Sequence, residues 1–533
     1  MNHLNASSLK VAVVLLVLAA CHPLSAEEKT GEEILADQLA GEVFVHQDVL
    51  NIPDTLTPTL GAARPIAPAL MGFNGNLTSL FQPWNHTEMV EATQALHPGN
   101  VRYPAGTLGN YWDWDLGWID QNAPREKMMH WVRPMIDSKM RYTLDNFAKG
   151  QKAVGFEPVY MLNMVTSDLE GQIKQLRRAR DLGMPVTYVE FGNEYFFGIG
   201  AEPLVHAKFP TPESYAKACN VWAKAIKAEF PGVKIAVIGG DSDDPSHSER
   251  RRTWNARVIP ILSDDIDAMT LHPYTGIGLI EGRPKGTHWG TKEQQLNQRT
   301  MLTDPAAVQH IMAEPARHWA RMHALDEVPD DMGLWLTEFN VNDWHGGVRH
   351  TWAQGLALSS FINAFLSDSR VELLCLHNLY GGNLFPAIHD REGSTFSDAV
   401  DESAPDAQPW SATPTGLVTA LFSQAMKGCD TAEPIHFGDN CAVEVEGISA
   451  PMVFGWLFTD SQNPHARKAI LVNLTAGSTR IQTDNFALKG RGYQRYSASP
   501  GTYGASQESI EMVAGEASSE LELGPYSITL VGE

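Results

Sequence analysis

Tyr188-Val189-Glu190-Phe191-Gly192-Asn193-Glu194-Tyr195 and its distant counterpart Leu334-Trp335-Leu336-Thr337-Glu338-Phe339-Asn340 decide how this chain folds. Each is an apolar, β-type stretch that ends in a carboxylate. Several such runs are near-continuous in their apolar character, as strands buried on both faces are, and such strands belong to a parallel sheet flanked by helices.

Working outward, eight such runs occupy residues 69–73, 100–103, 158–163, 188–193, 234–239, 266–272, 333–339 and 371–380. Helical patterns lie between them. Leu169, Ile173, Leu176 and Ala179 recur at helical spacing, and Gly183 supplies the left-handed residue that stops that helix. Thr211-Pro212 caps the next, with Tyr215, Cys219, Trp222 and Ile226 on one stripe, and Thr413-Pro414 opens another that runs to about Met426. Eight β-then-α units predict an α/β fold closed into a (β/α)8 barrel over residues 68–428.

Beyond Lys427 the texture changes to short alternating segments at 441–445, 452–458, 468–474, 494–497 and 527–531, which predict a β-sandwich over 429–533. A strand-like run at 42–49 precedes the barrel, so residues 22–67 read as a linker and an N-terminal strand that joins the sandwich. Residues 1–21 read as an export signal: Lys10 is followed by an apolar run too short to span a bilayer. That run ends in Leu18-Ala19-Ala20-Cys21, which resembles the bacterial lipobox and implies a lipid anchor at Cys21. Simple cleavage after Leu24-Ser25-Ala26 is the competing reading, which leaves the protein periplasmic or secreted.

With 43% hydrophobic and 9% aromatic residues in 533, the chain can bury a large core. Its net charge of -23 argues against a nucleic-acid partner, which would need clustered Lys and Arg. Cys219 and Cys375 fall in apolar patterns and read as buried thiols, whereas Cys429 and Cys441 are close enough in sequence for a disulfide in an oxidising compartment. There is no Cys-x-x-Cys pair, His-Glu-x-x-His helix or Gly-rich phosphate loop, so neither a metal nor a cofactor is expected. His310, His318 and His323, spaced by eight and five, do not stack on one helical face and read as surface residues.

In a parallel barrel the C-terminal ends of all strands converge on one face, so Glu194 and Glu338 are expected to meet there. Two carboxyls in one cleft are the apparatus of acid-assisted glycosidic cleavage: one protonates the leaving oxygen, and the other attacks the anomeric carbon from about 5 to 5.5 Å away. The ends Gly192-Asn193-Glu194 and Thr337-Glu338-Phe339-Asn340 resemble those of the retaining clan A glycoside hydrolases, which are (β/α)8 barrels. That resemblance implies Glu194 as acid/base, Glu338 as nucleophile and Asn193 as a partner of the sugar 2-hydroxyl.

Arg102-Tyr103-Pro104-Ala105-Gly106 is similar to the Arg-x-Pro-Gly-Gly segment of family 51 arabinofuranosidases and to its counterpart in family 79 glucuronidases and heparanases, with Ala105 in place of the first glycine. Families 30 and 39 share the barrel-plus-sandwich arrangement. Arg102 is thereby implied to brace the nucleophile, and His272-Pro273-Tyr274 resembles the His and Tyr that line the clan's cleft, with Tyr274 a partner for Glu338. The eighth run ends in His377-Asn378 where many clan members have a tryptophan, so these two residues are expected to shape the sugar pocket. Trp114 and Trp344 are expected at its mouth, with Tyr195 and Phe196 as further candidates. The reading is an exported retaining glycosidase acting on an oligo- or polysaccharide; a non-catalytic carbohydrate-binding protein and a transglycosylase are its competitors.

Overall fold

The computed structural model describes residues 48–197, 202–240, 246–279, 291–343, 346–381, 386–389, 408–504 and 509–532. The export signal with Cys21, all but the last two residues of the 42–49 run, and Trp344 lie outside them.

Eight parallel strands form a closed barrel: β1 (Met71–Asn74), β2 (Asn100–Tyr103), β3 (Glu157–Leu162), β4 (Tyr188–Phe191), β5 (Lys234–Ile238), β6 (Ala268–Thr270), β7 (Gly333–Asn342) and β8 (Val371–Leu376). Closure comes from pairing of β8 with β1 and of β6 with β7. A helix follows each strand in turn: α1 (Thr87–Ala95), α2 (Leu144–Val154), α3 (Leu169–Asp181), α4 (Pro212–Glu229), α5 (Trp254–Val258), α6 (Pro305–Ala320), α7 (Trp352–Ser367) and α8 (Pro414–Met426). The starts of α4 and α8 are capped as their sequences require, with Thr211 and Thr413 accepting from the amides of Ser214 and Gly416.

Ala69, just ahead of β1, and Val159, Tyr188, Ala236, Ala268, Trp335 and Leu373 form a separate apolar layer, the last six contributed by β3 to β8. It plugs the N-terminal half of the barrel, with Tyr188 and Trp335 edge to face at 5.4 Å. One pleat further along, the inward positions turn polar, and Asn100, Arg102 and Glu190 are fully buried. The floor is thus dry and rigid, and the layer above it carries the charges.

The β7–β8 register slips between Leu336 and Phe339. Phe339 turns outward onto Phe365 of α7, while Thr337 reaches His272 and Glu338 reaches Arg102. A bulge therefore lets two consecutive side chains serve the barrel interior, which strict alternation forbids.

Behind the barrel, β9 (Thr431–His436), β10 (Val453–Asp460), β11 (Asn463–Asn473), β12 (Gly492–Ser497), β13 (Glu511–Glu516) and β14 (Ser527–Val531) make an antiparallel sheet in the order β9-β10-β11-β14-β12-β13. One face packs on barrel helices, with the Trp456 indole donating to Asn363 of α7 at 2.9 Å. The other face covers a small core with the sheet Thr55–Leu56, Thr479–Gln482 and Glu520–Leu523. N-terminal chain joins both sheets: Thr55–Leu56 pairs with Thr479–Gln482, and Thr59–Leu60 and Arg64–Pro65 pair with β9.

The expected Cys429–Cys441 disulfide is not formed, and both thiols are buried and free. Cys429 packs in the main core and Cys441 in the small core of the sandwich, so twelve residues of separation carry them into different apolar layers. His310 and His318 lie on α6, partly buried, and His323 is exposed just beyond it.

Candidate active site

Arg102, on β2, is the hub of the polar layer. Its guanidinium donates through Nε to Glu190, through Nη1 to Glu338 Oε1 at 2.7 Å and through Nη2 to Asn193 Oδ1 at 2.8 Å. A planar fork with donors in fixed directions can span three partners where an ammonium cannot. Burial lowers its proton affinity, but Glu190 and Glu338 raise it by more, so Arg102 is held cationic. Glu190 is its structural counter-ion, fully buried in mid-strand.

Glu338 is 6% exposed, within β7 beside the bulge. Besides Arg102, its Oε1 accepts from Asn74 Nδ2 at 3.3 Å, and its Oε2 accepts from the Tyr274 hydroxyl at 2.8 Å. His272 Nδ1 and His377 Nε2 each stand 4.0 Å from Oε2. Burial pushes this carboxyl up, yet His272, His377 and Arg102 together with the Tyr274 hydrogen bond hold it well below the usual carboxylate range. A Cβ on Gly106 would fall 2.2 Å from Glu338 Oε1, so any larger residue there would displace the carboxyl.

Glu194 ends the β4 segment with φ +53, a left-handed backbone uncommon outside glycine. The preceding turn is made by Gly192, φ +84, where a Cβ would strike the Tyr195 ring at 2.2 Å. This turn lifts the Glu194 side chain to a partly exposed position. Its Oε1 meets His272 Nδ1 at 3.0 Å and its Oε2 accepts from Asn193 Nδ2 at 3.3 Å. His272 Nε2 faces Thr337 Oγ1 at 3.0 Å, and Glu338 and Glu194 raise its proton affinity against the effect of burial.

Glu194, His272 and Glu338 each offer an atom within 4.8 Å of the others, so a Glu194 oxygen and a Glu338 oxygen are that close across the barrel axis. Three such atoms could chelate an ion, but the Arg102 guanidinium already contacts Glu338 with the charge a metal would bring. The pair is thus arranged as one ionised carboxylate beside a fixed cation and one carboxyl tied to a histidine.

His377 and Asn378, just past β8, are both buried; His377 faces Glu338, and its ring meets the Tyr274 ring edge to face at 6.3 Å. Burial lowers the proton affinity of His377 more than Glu338 raises it. Among the described residues, His377 Nδ1, Asn378 Oδ1 and Asn74 Oδ1 have no hydrogen-bond partner.

Trp114 is not brought to the two glutamates; its indole donates to the Gly171 carbonyl in the first turn of α3 at 3.1 Å. Tyr195 and Phe196 are absent from the mouth, being fully buried, with Tyr195 stacked on Phe209. Asp113 closes its own loop by accepting from the amides of Asp115 and Leu116, and Asp343 is buried on the amide of Val348.

Four participants escaped the sequence reading: Asn74, Thr337, Asn110 and Glu202. The turn Thr107–Tyr111 cradles Asn193. Asn110 Nδ2 donates to the Asn193 carbonyl at 2.9 Å, the Asn193 amide donates back to Asn110 Oδ1 at 3.1 Å, and Asn193 Nδ2 reaches Thr107 Oγ1 at 3.3 Å. The Tyr111 hydroxyl donates to Glu202, which is 1% exposed. Thr337 lay within a strand end quoted from the sequence but had no role there, Asn74 is the residue just after the 69–73 run, and nothing local marked Asn110 or Glu202.

No protein-family model matches the chain. It is 24% identical over 316 residues to a probable α-L-arabinofuranosidase C of Aspergillus niger, a match spanning 53% of this chain and 57% of that protein. Among solved structures, a family 51 α-L-arabinofuranosidase from Bifidobacterium longum aligns over 90% of this chain and 99% of its own, with TM-score 0.58 and 16% identity. The family 51 arabinofuranosidase from Xanthomonas axonopodis pv. citri aligns over the same shares, with TM-score 0.61 and 16% identity. The chain therefore has the fold of the solved family 51 arabinofuranosidases, a (β/α)8 barrel backed by a β-sandwich.

Proposed function

We propose that the protein is an exported retaining glycosidase, with Glu338 as nucleophile and Glu194 as acid/base, acting on α-L-arabinofuranosides. The observation that carries this reading is the approach of a Glu194 oxygen and a Glu338 oxygen to within 4.8 Å, the spacing of direct displacement rather than of an intervening water. The sugar class is supported by the arabinofuranosidase relatives, and its hydroxyls would find acceptors in Asn74 Oδ1 and Asn378 Oδ1.

The chemistry follows from the unequal surroundings of the two carboxyls. Glu338, kept ionised by its cationic neighbours, attacks the anomeric carbon as the bond to the leaving oxygen breaks. Glu194 gives its proton to that oxygen, so the aglycone departs as an alcohol and the sugar remains as an ester on Glu338. Water then enters; Glu194 takes its proton, its oxygen bonds the anomeric carbon, and Glu338 leaves as the carboxylate. Two inversions give net retention.

A panel of aryl glycosides, with α-L-arabinofuranoside beside β-D-glucuronide and β-D-xyloside, tests the sugar, and NMR of the first-formed anomer tests the stereochemistry. An inverted product overturns the mechanism, and no turnover of any aryl glycoside overturns the activity. Glu338→Gln should lower kcat by roughly 10^4-fold or more. Glu194→Ala should recover on an activated substrate with azide. Export and acylation of Cys21 belong to the same proposal: a fatty-acid analogue should label a Cys21-dependent band, and absence of label removes the anchor.

A further inference from the structure

Glu202 belongs to no sequence motif and touches neither glutamate of the proposed pair through a hydrogen bond, yet it is buried at the far end of the contacts that hold Glu194 in place. The Asn193-Glu194 peptide enters a left-handed conformation at Glu194, φ +53, which a side-chain-bearing residue keeps only when its surroundings impose it. Asn110 imposes it by gripping both the amide and the carbonyl of Asn193, and Thr107 adds a contact to the Asn193 side chain. These two residues lie on one short turn, Thr107–Tyr111. The last residue of that turn is Tyr111, fully buried, and its hydroxyl ends on the Glu202 carboxyl.

We propose that Glu202 is a positioning residue for the acid/base carboxyl of Glu194, acting through Tyr111 and the Thr107–Tyr111 turn. The inference rests on the retaining-glycosidase reading above. The groups that face Glu202 are the Tyr111 and Tyr195 hydroxyls, the Asn110 amide and, electrostatically, Glu194 itself. Burial pushes its carboxyl up to about 8, so at neutral pH it stands uncharged and adds no second negative charge beside Glu194. A neutral carboxyl can accept from Tyr111 without repelling the group it helps to hold. A lysine, which has no acceptor, would not do this.

The experiment compares aryl glycosides whose leaving phenols differ in acidity, because only a poor leaving group needs the proton of Glu194. Glu202→Ala should lower kcat roughly tenfold or more on an unactivated phenyl glycoside and less than about threefold on a dinitrophenyl glycoside. Glu202→Gln, neutral and still able to accept from Tyr111, should restore most of the loss. Tyr111→Phe, which removes only the hydroxyl, should show the same selectivity and carries the test if Glu202→Ala fails to fold. Equal losses on both substrates, or no loss on either, overturn the proposal, as does a Glu202→Gln enzyme as damaged as Glu202→Ala. Glu194→Ala is the control: if it shows no such selectivity, the parent reading fails, independently of Glu202.

Discussion

Replacing Arg102 by Met leaves the shape of the buried stem and removes a permanent charge in contact with Glu338. The effect can be worked from the geometry. With Nη1 2.7 Å from Oε1, the charge centres lie about 4 Å apart, and at an effective dielectric near 20 their attraction is about 4 kcal/mol. At 1.36 kcal/mol per pH unit that is at most about three units, and relaxation around His272 and Tyr274 brings the expectation to roughly one to three. The sign is fixed: Arg102 favours the ionised carboxylate, so without it Glu338 takes up a proton at higher pH. The acid limb of kcat/KM, which reports the nucleophile in the free enzyme, should move upward by that amount. Arg102→Lys, charged but unable to span Glu190, Glu338 and Asn193 together, should shift it less. Stability should fall by about 3 to 5 kcal/mol in the Met variant, because Glu190 loses its buried partner. Full pH profiles on an activated aryl glycoside, with circular dichroism to confirm folding, provide the assay. A folded Met variant whose acid limb superposes on that of the wild type refutes the electrostatic account.

Tyr274→Phe removes a hydrogen bond to a charged group worth about 1.5 to 3 kcal/mol; kcat/KM should drop roughly 10- to 150-fold with the acid limb again raised, and an unchanged profile counts against the contact. Because the Glu338 carboxyl is depressed in the folded state, it contributes stability above the unfolded value of 4.5 and loses it as pH falls toward about 2. Thermal melts of Glu338→Gln should therefore depend less steeply on pH across that window than those of the wild type. Alkylation in denaturant without reductant should label both Cys429 and Cys441, and a peptide linking them would contradict the sheet arrangement.

The barrel was legible because strands buried on both faces carry little polar alternation, and all eight runs became barrel strands in chain order. The carboxylate pair was legible for a related reason: strand ends converge by topology, whatever their separation in sequence. What stayed hidden depends on neighbours that no local window contains. The β7 bulge that turns both Thr337 and Glu338 inward exists only relative to β8. Glu202 sits in a connection with no periodicity, and its role comes from Tyr111, 91 positions earlier. Tyr195 is core rather than cleft because aromatic residues after a barrel strand serve packing and ligand stacking equally well, and only the loop path decides. Cys429 and Cys441 are close in sequence, but the layers they pack into differ.

Proton bookkeeping explains why one histidine stands between the two carboxyls. At the start of the proposed cycle the negative charge resides on Glu338 and the proton on Glu194. Once the sugar is esterified, Glu338 is neutral and Glu194, having given up its proton, carries the charge. The charge has moved less than about 5 Å, between two oxygens that His272 Nδ1 faces at 3.0 and 4.0 Å. His272 therefore sees nearly the same total charge before and after, and it has no reason to change its own protonation. Its other nitrogen is held by Thr337, so it cannot swing to follow the charge. A fixed imidazole equidistant within an ångström lowers the cost of both charge states without favouring either, as a reaction that must run forward and then reverse its proton transfer requires.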